Sequence, residues 1–386
     1  MRHLFFPILT IFLLTLSCKD LGLIVVPPLN LDPRSYKFKV DVLQSPEGAS
    51  VNIQAIWGTS YNNMYAVGSH AIPYTYMFFH FDGNGWTDIT EPLRTPILDY
   101  GGGGNFHLGG IHGFAANDFW VVGGWKFFES DSEGIKKQGF VLRYDGSKFV
   151  NMTPAGMPSA AEVDSRFYTV WGTSSNDVWV SGAYGFIFHW NGAQWTNHRM
   201  TDTTADINGI LGRIGNKLYT SSAVSNPTLG FALHEFDGAS WREIWYTNLG
   251  SYFFINPVII NDTIYAAGAY GSIVRFDPAA AGSSRYKEIG VWGVEERSWV
   301  MSPYGFRGLL GKSFDDFVIY GGQGAGGQYN GVAGHYNGND VVPYPSTFID
   351  GIVYQRGFRF ADSFFLIGKY EGGPFNTNII VSAIPQ

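Results

Sequence analysis

The sequence predicts an all-β chain closed into a ring: a seven-bladed β-propeller of four-stranded antiparallel blades, with an N-terminal strand completing the last blade. Three observations predict it. A Trp-Gly-x-x-x-Asn-Asp-x-Trp pattern recurs, whole or eroded, seven times along the 386 residues. An Asp-Gly or Asn-Gly turn or a relative, in most cases with an aromatic soon after it, follows each copy but the last. The last copy is one strand short, and an unpaired strand precedes the first. Composition agrees: 50 glycines, with 17% aromatic against 15% charged residues, suit short strands joined by tight turns. No long stretch carries the 3.6-residue apolar period of a helix. Six or eight blades stay open as alternatives, because residues 291–305 and the fifth copy are irregular.

The N-terminus reads as a targeting segment. Arg2 and His3 precede an apolar run, Leu4 to Leu16, too short to span a bilayer as a helix. Thr15-Leu16-Ser17-Cys18 follows, and Cys18 is the sole cysteine. This resembles a bacterial lipoprotein signal, which implies cleavage before Cys18 and lipid on its sulfur and new amino group. The other reading is an ordinary secretory signal with a chance cysteine. The division is then residues 1–17 as signal peptide, 18–35 as lipidated cysteine and tether, and 36–386 as propeller. Pro27, Pro28 and Pro33 stiffen the tether. Such an anchor implies the bacterial cell envelope, as an outer-membrane lipoprotein held only by its lipid. The net charge of −7 argues against nucleic acid, which needs clustered Lys and Arg.

The repeat is sharpest at Trp171-Gly172, Asn176-Asp177, Trp179 and Gly182. Glycine and Asn/Asp make the turn, and Val178-Trp179-Val180 suits a buried pleated surface. Earlier copies read Trp57-Gly58, Asn62-Asn63, Tyr65, Gly68, and then Gly113, Asn117-Asp118, Trp120, Gly123. Later ones read Gly212, Asn216, Tyr219, Ser222; Tyr265, Gly268; Gly311, Asp315-Asp316, Val318, Gly321; and Asp362, Phe365, Gly368. The hairpin turns are Asp82-Gly83, Asp145-Gly146, Asn191-Gly192, Asp237-Gly238, Asp277-Pro278 and Asn337-Gly338. The last unit ends on a third strand, Asn378 to Ile384. Tyr36 to Leu43 alternates polar with apolar and supplies the missing outer strand, which removes an open sheet edge. These motifs resemble the propeller repeat of bacterial exported proteins, similar to Kelch-type and galactose-oxidase-like propellers. The resemblance covers residues 36–386 and implies a fold, with little about activity.

In each unit the connections between strands two and three, and onward to the next unit, are long, so they share one face. That face carries Tyr74, Tyr76, Tyr100, Trp125, Phe127, Phe128, Trp245, Tyr246, Trp299 and Tyr304. Such aromatics stack on sugars or pack on a partner protein, or fold back over their own loops. In the innermost strands an ungapped alignment gives an apolar layer: Ile53, Leu108, Phe167, Ile207, Phe253, Phe306 and Val353. Its neighbours are polar: Asn52, Gln54, His107, Arg166, Tyr168, Asp206, Asn208, Arg307 and Tyr354. These are the ligand candidates at the channel mouth, with Trp125, Trp245 and Trp299 on the rim. A water-filled channel with hydrogen-bonded polar walls is the competing reading.

Other chemistry is weak. Gly322-x-Gly324-x-x-Gly327 lies between strands with no helix to hold a phosphate, and Gly311-Lys312-Ser313 lacks the earlier glycine of a phosphate loop. There is no His-Glu-x-x-His, cysteine cluster or calcium-type loop, so no metal or cofactor is expected. Arg166, Arg307 and Arg356 could hold an acidic sugar, and Asp164, Asp206, Glu295 or Glu296 could pair for glycoside or lyase chemistry. The leading expectation is a monomeric, non-catalytic envelope lipoprotein that binds a glycan or protein by its long-loop face. A carbohydrate-active enzyme and an envelope assembly factor are the alternatives.

Overall fold

The strands form seven sheets in a ring, seen in a computed structural model. It describes residues 36–385 except 45–47, 49–50, 71–75, 94–104, 129–134, 156, 158–163, 201–204, 225–229, 248–254, 269–271, 291–305, 314–315, 326–327, 337–340, 345–348, 361 and 371–377. Blades one to six each run inward to outward in chain order. Their innermost strands are Val51–Ser60, Asn105–Ala115, Phe167–Ser174, Asp206–Ile214, Ile255–Ile260 and Phe306–Ser313. Blade seven has Ile352–Phe360 innermost, then Ser363–Tyr370 and Asn378–Pro385, and its outer strand is Tyr36–Val42. Blade six carries one extra two-residue strand, Ile349–Asp350, paired to its third strand. Each innermost strand contacts its two neighbours around the axis, and Ile352–Phe360 meets Val51–Ser60 to close the circle.

The closing pairing is antiparallel and in register from Tyr36 opposite Pro385 to Val42 opposite Ile379, with Phe38 opposite Ala383 and Val40 opposite Val381. The alternation of Tyr36, Phe38 and Val40 puts one face into the core, where Phe38 meets Tyr344 and Phe364 at ring-centroid distances of 5.5 and 6.2 Å.

The described core is not one cluster but a layer between each pair of blades. Trp57, Phe78 and Phe119 join blades one and two, and Trp120, Val122 and Phe167 join two and three. Trp179 and Phe236 join three and four, and Phe365, Ile380 and Ile53 join seven and one. Because strand residues alternate sides, Phe119 and Val121 pack toward one neighbour and Trp120 and Val122 toward the other. A second strand buried on both faces therefore reads as a continuous apolar run.

The two repeated signatures have distinct work. Asp82, Asp145, Asn191 and Asp237 each accept, through Oδ1, hydrogen bonds from the backbone N–H groups two and three residues on, at 2.8–3.1 Å. The intervening glycines sit at φ 92–101°, which glycine alone adopts without strain. The Asn-Asp signature is half of a recurring clasp. Asp177 accepts from His189 Nε2 at 2.8 Å and Trp179 Nε1 at 3.1 Å, and His189 stacks on Trp179 at 4.1 Å. Arg143 to Asp118 across Trp120, and His80 to Asn63 across Tyr65, repeat it.

Candidate binding site at the channel mouth

Near the start of every innermost strand the ladder slips by one residue, with two residues opposite one. Such bulges bend a strand and re-aim a side chain. The bulged residues are Gln54, Gly109, Tyr168, Asn208, Arg307 and Gln355, and in blade five Asn256-Pro257. Sequence alignment therefore finds the correct position at Gln54, Tyr168, Asn208 and Arg307, and misses it by one at Tyr354.

Tyr354 pairs with Gly368 as Phe167 pairs with Gly182, and it is fully buried against Gly331 between blades six and seven. The cause is a second bulge near the first hairpin, at Gly172/Ser174 in blade three, which blade seven lacks. A one-residue slip moves every side chain to the other face. Tyr354 is a core residue, and Gln355 takes its place at the mouth. Trp125 is also core, 7% exposed and stacked on Phe106 at 6.2 Å. Trp245 is half-buried and stacked on Tyr286 at 5.2 Å. Tyr76 is buried, while Tyr246 is 39% exposed. Cys18, Tyr74, Tyr100, Trp299 and Tyr304 lie outside the described residues, as do the side chains of Phe127, Phe128 and Asn208.

The structure brings His107, Arg166, Tyr168 and Asp206 together on blades two to four. Arg166 grips Asp164 with two parallel bonds, Nε to Oδ1 at 2.8 Å and Nη2 to Oδ2 at 2.7 Å. Its Nη2 also lies 3.5 Å from the Tyr168 hydroxyl, which lies 3.5 Å from Asp206 Oδ2. The Arg166 stem lies where a Cβ on Gly124 would stand, 2.3 Å from its Cγ, so this blade contact demands glycine. Burial, with the Arg166 charge beside it, lowers the His107 pKa from 6.5 to about 4, so the ring is neutral at neutral pH. Burial raises the Tyr168 phenol above its ordinary 10.0.

Sequence reasoning does not single out Tyr184. It is exposed at the same mouth, in the short turn Ala183–Gly185 that replaces the long connection expected between strands two and three of this blade. Its backbone stands at φ 52, held by its N–H to Asp206 Oδ1 at 3.3 Å and by Arg199 Nε to its carbonyl at 3.2 Å. Arg199 in turn lies over the Phe186 ring at 4.2 Å. Nothing in Ala-Tyr-Gly announces a positive φ on the tyrosine, since the neighbouring glycine is the residue expected to take it. In the opposite half of the mouth, hydrogen bonds link the innermost strands of blades one, five, six and seven. Arg356 Nη1 donates to the Gln54 carbonyl at 2.6 Å, and the Asn256 amide donates to the carbonyls of Gln355 and Arg307 at 2.9 and 3.1 Å.

No family model and no curated protein matches this chain. Solved structures do match in fold. One is YCF48 bound to D1 peptide, 15% identical, covering 94% of this chain and 100% of that one with a TM-score of 0.58. Another is YCF48 from Cyanidioschyzon merolae, 13% identical over 88% of this chain and 98% of that one, TM-score 0.57. A GH74 xyloglucanase from Xanthomonas campestris is 11% identical over 89% of this chain and 55% of that one, TM-score 0.54. These likenesses establish the β-propeller fold.

Proposed function

We propose that this chain is a non-catalytic, lipid-anchored envelope protein that binds an extended segment of a partner protein at the mouth beside blades three and four. The observation that carries the reading is Tyr184. The residue is 37% exposed on a backbone that non-glycine residues seldom adopt, and Asp206 and Arg199 hold its N–H and carbonyl. Strain held in place by its surroundings marks a preorganised contact, and a rigid, exposed tyrosine is a common interface anchor. The peptide bound to the neighbour YCF48 is in keeping with a mouth that takes a protein chain.

Catalysis is the weaker reading. Both oxygens of Asp164 accept from Arg166, and Tyr168 stands between that pair and Asp206. A carboxylate committed to a guanidinium is a poor proton donor. The anchor rests on Cys18 behind its apolar run, as does the assignment to the outer membrane.

The full-length protein, solubilised in detergent, is screened against peptide and glycan arrays. Peptide binding that Tyr184→Ala and Asp206→Asn each weaken at least tenfold supports the reading. Binding to glycans alone overturns the peptide preference, and equal binding by both variants removes the mouth. For the anchor, mass spectrometry of the N-terminal peptide should find diacylglycerol on Cys18, and Cys18→Ala should leave the membrane fraction. An unmodified Cys18 in membrane-bound protein would refute it.

A further inference from the structure

Arg356 follows the bulge of blade seven and stands opposite Ile367. At the same ladder position five other blades carry Ala55, Gly110, Thr169, Gly209 and Gly308. One long cationic side chain therefore enters a layer of small residues around the axis. Its Nη1 crosses to blade one and donates to the Gln54 carbonyl at 2.6 Å, a neutral partner. The group closest in charge terms is the phenol of Tyr320, itself fully buried. Among the described residues no carboxylate pairs with Arg356. The contrast with Arg166 is sharp, since that side chain lies in the same mouth with a bidentate aspartate.

An arginine cannot shed its proton to escape burial, so it must find an anion or retain water. Burial lowers the Arg356 pKa, and the residue keeps some accessible surface. With Nη1 spent on Gln54, the Nε–Nη2 edge presents two parallel donors, the fork that matches a carboxylate. Asn256, at φ 51 in blade five, donates to the carbonyls of Arg307 in blade six and of Gln355, the residue before Arg356.

We propose that the channel between blades five, six, seven and one is an anion site in which Arg356 receives a carboxylate. The site does not depend on the peptide reading at blades three and four. The carboxylate belongs to a free small acid or to an acidic side chain of a longer ligand, and the two sources separate experimentally. The full-length protein in low-anion buffer is titrated with acetate, with acetyl-Gly-Asp-amide and with sulfate, read by thermal shift and by saturation-transfer NMR. Acetate should raise the Tm saturably and receive saturation from the protein. Arg356→Met should weaken acetate at least tenfold and, in low-anion buffer, melt no lower than the wild type. Arg356→Lys should keep a weakened response. Aspartyl peptide binding more than tenfold tighter than acetate assigns the carboxylate to a longer ligand, and equal affinity assigns it to a small acid. If Arg356→Met fails to fold, the wild-type NMR still decides: no transfer to acetate overturns the site. Equal acetate responses in wild type and Arg356→Lys also overturn it, and tighter binding of sulfate overturns the carboxylate class.

Discussion

His107 carries the clearest consequence at the scale of a residue. Its folded pKa is about 4 against an ordinary 6.5. As pH falls below 6.5, the unfolded chain takes up a proton that the folded site resists, so stability declines until about pH 4 and is flat above 6.5. His107→Gln should remove that part of the slope, about 2 kcal/mol after allowance for the solvent that still reaches the ring. Urea denaturation of wild type and variant across this range measures it, and identical slopes would refute the assignment. Glu235 works in the other sense. Burial pushes its carboxyl up, but hydrogen bonds from Lys217, Arg242 and Tyr219 outweigh this and hold it below 4.5. That stability is present above pH 4.5 and is lost as pH falls through the lower folded value. Glu235→Gln should therefore cost about 2 kcal/mol at neutral pH, and the gap to wild type should narrow in acid. The clasp that includes Glu235 was half legible in sequence. Asn-Asp-x-Trp gave the turn acid and the aromatic, but the third member sits two residues before the next turn, as in His80, Arg143, His189, Arg275 and His335. It is visible only once the two signatures are known to pair.

At the scale of an element, the innermost strand is where sequence reasoning both succeeds and slips. Its apolar and polar positions were readable because the period of two is strict between bulges. Phe167 and Ile207 fall in the core as expected. The loss of one bulge in blade seven leaves no mark in composition, so an ungapped frame carried Tyr354 to the mouth and left Gln355 out. Asn256 was missed because blade five shifts its bulge again. The glycine that closes each sharp repeat is explained by the same geometry. A Cβ on Gly182 would stand 1.9 Å from the Arg166 carbonyl oxygen, and on Gly68 and Gly123 about as close to those of Asn52 and His107. At these three positions the innermost backbone lies directly on the second strand. Gly182→Ala should cost about 3 kcal/mol, since backbone, not a flexible side chain, must move. It should also disturb the Arg166–Asp164 pair. Blade four has Ser222 at the equivalent site, where its hydroxyl bonds His234 at 2.8 Å, so Ser222→Gly should be far milder. Comparable losses in the two variants would show that glycine there is not set by this close approach of backbone.

At the scale of the whole molecule, stability is a property of the ring. The described core divides into layers between blades, and the layer joining seven to one needs Phe365, Ile367 and Ile380 from one end of the ring and Leu43, Ile53 and Phe79 from the other. The outer strand of blade seven supplies Tyr36, Phe38 and Val40 to the layer shared with blade six. A chain that lacks residues 36–43 would expose the edge of Asn378–Pro385, a strand whose Ile379, Ile380 and Val381 are buried here, and such an edge templates aggregation. Point truncation tests the same seam without deleting it. Phe38→Ala removes a ring packed on Tyr344 and Phe364 and should cost about 3–4 kcal/mol. Because the ring closes through noncovalent pairing, a peptide of residues 36–43 added to the truncated chain should restore part of the lost Tm, saturably and in proportion to its occupancy. A peptide with Phe38 and Val40 replaced by serine should not. Full stability of the truncated chain without any peptide would mean that the ring holds without its seam, and that the layered core, rather than closure, sets the stability of the molecule.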